Sequence, residues 1–190
     1  MAESLWDFSV QTYHTEEVRH ACLALQDARN MDVNLLLFCC WYARFNDDQP
    51  QAALQNVFNF SKSWHDEVVQ PLRRTRTWMK HTGCPDPRIP TADCTHLRDK
   101  IKAAELAAER VQQQTLQLLV SPVPTNEPAP ATQLNNIIRN LTHYFQTINA
   151  SVDPFIRNNL QPIIQASIPD LPNQTITTAL DQLRPCPPNA

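Results

Sequence analysis

Apolar side chains recur along this chain every three or four residues, the spacing that lines one face of an α-helix, and they do so in separate blocks. Leu5, Phe8 and Val10 follow Ser4, whose hydroxyl can cap a helix N-terminus. Val18, Cys22 and Leu25 follow Thr15-Glu16-Glu17, a capping residue with acidic side chains that complement the helix dipole. Asp32 precedes a stretch, residues 33–45, that is apolar on nearly every side with Asn34 as its early polar interruption. Such a helix belongs at the centre of a fold. Leu54, Phe58, Ser61, Val68, Leu72, Thr75 and Met79 form a fourth stripe after Pro50, and Pro71 inside it predicts a kink or break. Gly83 and the proline-rich residues 84–90 end it in a loop.

From Asp93 or Thr95 to Leu119 the spacing predicts the longest helix. Leu97, Ile101, Ala104, Ala108, Val111, Thr115 and Leu118 alternate by four and three, a narrow coiled-coil-like seam expected to pack on the fourth helix, with self-association as the alternative. Residues 121–131 read as a proline-rich linker. Leu134 to Ile148 and Phe155 to Ile168 are amphipathic again, and residues 174–183 predict one more short helix before Pro185. The expectation is an all-α, irregular bundle of about seven or eight helices, with a main core in residues 1–120, the linker at 121–131 and a docked helical lobe in residues 132–190.

Composition sharpens this. One glycine, Gly83, against 16 prolines leaves no material for a phosphate-cradling loop, a dinucleotide fingerprint, a nucleophile elbow or tight hairpin turns. Residues 1–48 carry three basic and eight acidic side chains and residues 49–120 ten and seven, for a net charge of −3. That is not the footprint of a nucleic-acid binder. The longest apolar run, residues 35–43, is too short to span a bilayer, and the acidic start lacks the basic, apolar signature of a secretory signal. A cytoplasmic location is therefore expected, with Cys22, Cys39, Cys40, Cys84, Cys94 and Cys186 as reduced thiols.

Several ordered blocks carry a resemblance. Trp6-Asp7-Phe8-Ser9, Cys22-Leu23-Ala24-Leu25-Gln26-Asp27, Asp32-Val33-Asn34-Leu35-Leu36-Leu37-Phe38, Trp64 with Pro71-Leu72-Arg73 and Arg76, and Glu105-Leu106-Ala107-Ala108-Glu109-Arg110 resemble a family of bacterial proteins of unknown function, found mainly in proteobacteria. The likeness runs from residue 4 to about 120. It implies a small, helical, intracellular bacterial protein and brings no activity with it. The loop from Cys84 to His96 lies outside the pattern.

Four constellations could carry chemistry. His81, Cys84, Cys94 and His96 have the residue types of a zinc site, but the C-x-H half departs from usual ligand spacing, so no metal or other cofactor is expected. Asp27, Asp32, Asn34, Arg73 and Arg76 are the candidate lining of a polar pocket between helices, with Gln26 beside them, although N-capping and mutual pairing are the favoured reading of such residues. His65 beside Asp66 and Glu67 suggests acid–base work, but neighbours on a helix diverge; the plain reading is Trp64 in the core and the rest in water. Glu105 and Glu109 lack the Glu-x-x-His partners of a di-metal bundle and read as a solvated or salt-bridged face near Lys102. With no complete catalytic arrangement, the leading expectation is a non-enzymatic helical interaction protein with a protein partner, monomeric or weakly self-associating. A small-ligand binder or enzyme using the inter-helix pocket is the alternative.

Overall fold

The structure, a computed structural model, describes residues 3–45, 51–120 and 127–183, and every regular element in them is helical. In chain order these are α1 (Leu5–Thr12), α2 (Glu16–Arg29), α3 (Val33–Ala43), α4 (Gln51–Trp64), a π-helical turn (His65–Val69), α5 (Gln70–Thr82), α6 (Thr91–Leu119), α7 (Pro130–Thr147), α8 (Pro154–Ser167) and α9 (Asn173–Leu180). Because α4, the π turn and α5 join end to end, they form one rod. Pro50, Pro185 and Cys186 lie outside the described residues, as does the linker from residue 121 to 126.

Local chemistry sets the helix starts. Ser4, Thr15 and Asp32 each accept a hydrogen bond from a first-turn amide, of Asp7, Val18 and Leu35 respectively. Asp153 does the same for Ile156 at the head of α8. α2 ends on Asn30, whose φ of 53° is left-handed, a conformation that asparagine tolerates better than most side chains. α6 begins at Thr91, one turn earlier than expected, and α7 takes Pro130 from the stretch read as linker, since proline fits a first helical turn.

Pro71 does not break its rod. The chain widens into the π turn just before it, where the Gln70 amide donates to the carbonyl of His65, five residues back. The proline then sits in the first turn of α5, where its missing N–H and bulky ring are accommodated.

α3 is buried along its whole length, with α1 and α6 against one part of its surface and α7 and α8 against another. One apolar cluster runs from Leu5 through Phe38 and Trp41 to Leu134, Ile163 and Leu183. Its aromatic centre includes Phe38 stacked on Tyr42, ring centroids 5.2 Å apart. The apolar sets on either side of residues 121–131 thus share this cluster.

α6 departs from expectation. The face it buries is Glu105, Ala108, Gln112, Gln113 and Leu116, mostly polar. The seam read from its apolar residues faces inward only in part: Ala108 is buried, whereas Leu97, Val111 and Leu118 are 52%, 44% and 73% exposed. Packing on α4 and α5 is instead made by polar side chains that find partners there, as the Glu105 and Gln112 bonds below illustrate.

Candidate functional site

α1, α2, α3, α5 and α6 enclose a cleft of about 750 Å³, within the size range of small-molecule sites. Its walls are largely apolar: Trp6 and Val10 from α1, Tyr13 just after it, Leu23 from α2, Val33 and Leu37 from α3, Leu106 from α6. Helical spacing puts these residues there. Ser9 is one turn from Trp6 and Tyr13, so α1 turns one stripe toward the cleft and another, Leu5, Phe8 and Thr12, into the core. α1 is held on α6 by the Leu5 amide, which donates to Gln117 Oε1 at 3.0 Å. The Arg110 guanidinium lies 5.2 Å from the Trp6 ring centroid, a cation–π approach that fixes the indole.

Across the cleft α5 and α6 meet through charge. Arg73 donates from Nε to Glu105 at 2.8 Å and from Nη2 to Glu109 at 2.7 Å, while Arg76 reaches Glu105 through Nε and Nη2. Burial pushes the Glu105 carboxyl up, but the hydrogen bonds of Arg76 and Arg73 outweigh it and hold the group below the ordinary carboxylate range. Glu109 goes the other way: burial raises it and Arg73 offsets only part. Tyr13 and Cys22 hydrogen-bond each other in an apolar setting, and burial moves the thiol up to about 12.

A polar network runs from the core to this cleft. The Asp32 carboxylate accepts hydrogen bonds from the Leu35 amide at 3.2 Å, Ser61 Oγ at 2.7 Å and Gln112 Nε2 at 2.6 Å. Gln112 Oε1 accepts from Asn34 Nδ2 at 2.8 Å, and Asn34 Oδ1 from Gln113 Nε2 at 2.7 Å. His65, only 5% exposed, sits with Nδ1 3.9 Å from Asp32 and Nε2 3.1 Å from Gln70. Reading His65 as solvated is therefore incorrect, because the π turn swings it inward. Asp32, Ser61 and His65 assemble residue types familiar from catalysis, yet none of them lines the cleft. They tie α3, α4 and the π turn together.

Of the five candidate pocket residues, Asn34, Arg73 and Arg76 line the cleft. Asp32 lies behind it, and Asp27 is exposed on α2, touching the site only through its field at Arg76. Gln26 lines it too. Sequence reading missed Ser9, Gln113, Glu105 and Glu109. Three atoms distinguish the place: Ser9 Oγ, Arg73 Nη1 and Gln113 Oε1 are buried without a hydrogen-bond partner, and all three residues line this cleft. Buried polar atoms are seldom left so. Glu105 and Glu109 are salt-bridged, one of the two readings of this face, with Arg73 and Arg76 as the partners in place of Lys102.

Two of the four residues of zinc-site type are used otherwise. Cys84 and Cys94 form a disulfide, Cα atoms 5.7 Å apart, across the loop between α5 and α6, so these two are not reduced thiols. Among the described residues no cluster of three His, Cys, Asp or Glu side chains could hold a metal ion. Nor is any described helix long and apolar enough to cross a membrane.

Neither a curated protein nor a solved structure is detectably similar to the chain. Residues 4–116 match a family described as a protein of unknown function, DUF2390, and every cleft residue falls inside that span. With more than half of its length matched, the chain belongs to the DUF2390 family of proteins of unknown function.

Proposed function

We propose that the protein binds a small amphiphilic molecule in the cleft between α1, α2, α3, α5 and α6. One observation carries this reading: a hollow of about 750 Å³ is walled by Trp6, Val10, Leu23, Leu37 and Leu106 and bordered by the ion-paired Arg73, Arg76, Glu105 and Glu109. The apolar walls supply affinity and the charged border orientation. Nile red, a neutral apolar fluorophore, should bind with one saturable site. Ala103→Trp, at an exposed position on the cleft rim, should abolish that binding without disturbing the core. Unsaturable fluorescence, or saturation unchanged in Ala103→Trp, would reject the reading.

Binding to a second copy of this chain is a further reading, supported by the strip Leu97, Val111 and Leu118 that α6 leaves in solvent. With exposed Ala104 between the first two, they fall every seven residues, the register of a two-helix seam. Sedimentation should show a dimer that Leu118→Glu dissociates, and a monomer at all concentrations would exclude it. A cytoplasmic setting is a separate reading: Cys22, Cys39 and Cys40 are free thiols, whereas the Cys84–Cys94 disulfide favours an oxidising compartment.

A further inference from the structure

We infer that the hairpin made of α5 and the first half of α6 is a membrane-docking arm, whose tip lays Trp78 and Ile89 into the head-group layer of an anionic phospholipid bilayer while exposed basic side chains hold the lipid phosphates. The inference is independent of what the cleft binds.

From Gln70 to Ala104 no side chain is buried, and the apolar cluster of the bundle includes none of these residues. α5 packs on α6 and on the π turn before it. The hairpin therefore extends past the core that the other helices share. Two segments that bury so little gain little from lying together, yet this pair is tied at its end, where the Cys84–Cys94 disulfide joins the loop to the first turn of α6. A tip held in one shape loses less conformational entropy on meeting a surface.

Charge is segregated along the molecule. Residues 71–104 carry eight lysines and arginines against three acidic residues, and the rest of the chain carries eight against sixteen. Arg73 and Arg76 are taken by Glu105 and Glu109, Arg88 by Asp86 and Arg98 by Asp99. Arg74, Lys80, Lys100 and Lys102 are exposed and have no ion-pair partner among the described residues. Each such cation close to an anionic bilayer strengthens binding by up to about fivefold. The acidic excess elsewhere turns the remainder of the molecule away from the same surface, so the approach is end-on.

An end-on approach engages every side of the tip at once. There Ile89, in the loop, is 39% exposed, and Trp78 is 60% exposed. Trp78 stands about 6 Å along the axis from the end of α5 at Thr82, within the depth to which interfacial side chains reach. Tryptophan favours the head-group level, where its ring is apolar and its N–H stays wet. Single-stranded nucleic acid would be drawn by the same cations, but it is gripped by bases stacking on several aromatic rings. Residues 71–104 hold one tryptophan and no phenylalanine or tyrosine, and a phosphate backbone offers the exposed isoleucine no counterpart.

Cosedimentation of the full chain with phosphatidylcholine vesicles, either neutral or containing about 30% phosphatidylserine, tests this. Binding to the mixed vesicles should be about tenfold or more tighter than to the neutral ones, and it should weaken in about 0.5 M salt. Lys80→Gln with Lys100→Gln, at two exposed positions, should weaken it about tenfold, and Trp78→Ala by a similar factor. Phospholipids brominated on their acyl chains should quench tryptophan emission in the parent and not in Trp78→Phe. Equal binding to neutral and anionic vesicles, or binding undiminished in the folded lysine variant, would overturn the inference. Emission unquenched in the parent, or quenched equally in Trp78→Phe, would overturn the placement of Trp78. Saturable binding of a thymidine oligonucleotide without vesicle binding would give the arm to single-stranded nucleic acid and overturn the inference too. So would self-association of the free protein that the lysine variant abolishes, again without vesicle binding, since the arm would then serve a second copy of this chain.

Discussion

Asn140 of α7 donates its side-chain N–H to the backbone carbonyl of Cys39, in the middle of α3, at 3.1 Å. The bond crosses from the carboxy-terminal helices to the most deeply buried one, and both residues are almost wholly inaccessible to water. Asn136, one turn earlier, approaches the Ala43 carbonyl in the same way. α7 is therefore pinned to α3 along its length as well as packed on it.

This pairing predicts that the segment matched to the family, residues 4–116, does not stand alone. Removing residues 127–190 would uncover the face of α3 that α7 and α8 cover, around Cys39 and Ala43, and the shortened chain should be insoluble or bind hydrophobic dyes indiscriminately. Within the full chain, Asn140→Ala should lower stability by about 1–2 kcal/mol, through one lost hydrogen bond and a small void. Urea unfolding measures it. A soluble, cooperatively folding truncation would contradict the shared core.

Much of the fold was legible before any coordinates. Ser4, Thr15 and Asp32 announced their helices because a short polar side chain before an amphipathic run has few other uses. α3 announced its place at the centre by being apolar on all sides. The errors cluster where polar residues are buried. On α6, Leu97, Val111 and Leu118 looked like the inward seam, yet Glu105, Gln112 and Gln113 are inside, since hydrogen bonding to Arg73, Asp32 and Asn34 offsets their desolvation. Apolar periodicity cannot register that. The one available clue was the spacing of 105, 109, 112 and 113, a helical face written in Glu and Gln. Arg73, Arg76 and Asn34 were legible as cleft residues; Asp32 was legible as a cap but not as the head of a network.

The opposed shifts of Glu105 and Glu109 predict a stability profile with two distinguishable limbs. Glu105 has a folded-state pKa below its unfolded value. Its contribution is present above the unfolded value and lost as pH falls through the folded one. Glu109 is raised, so the folded form holds its proton more tightly, and the stability it contributes is present at low pH and lost as pH rises through the folded value. Glu105→Gln should flatten the acid limb and cost about 2 kcal/mol at neutral pH, discounted because Arg76 is partly in water. Glu109→Gln should flatten the decline on the other side. Urea midpoints at stepped pH read both, and identical profiles for the two variants would contradict the opposition.

The Cys84–Cys94 bond closes a short loop at the end of the α5–α6 pair, away from the cleft. Replacing both residues by serine should cost on the order of 2–3 kcal/mol by loop entropy and leave Nile red affinity unchanged. Their location also tests the compartment. In a reducing cytoplasm both sulfurs should be alkylated when cells are quenched in acid and labelled. Cys22 and Cys40, whose thiols burial raises to about 12, and fully buried Cys39 should stay unlabelled in the folded protein. Cys84 and Cys94 found joined in intact cells would sink the cytoplasmic assignment.

Ser9 offers an economical test of the cleft wall, because its hydroxyl burdens the fold without a partner. Its hydroxyl is buried and unpaired, so in the empty protein the group only costs free energy. Ser9→Ala deletes it without changing the packing of α1, and alanine is the better helix former. The variant should melt about 2–4 °C higher, the equivalent of about 1 kcal/mol in a chain of this size. Nile red, which asks nothing of the hydroxyl, should bind as before. Calorimetric melting and dye titration read the two effects, and a lower melting temperature in Ser9→Ala would show that the hydroxyl has a partner in the folded protein.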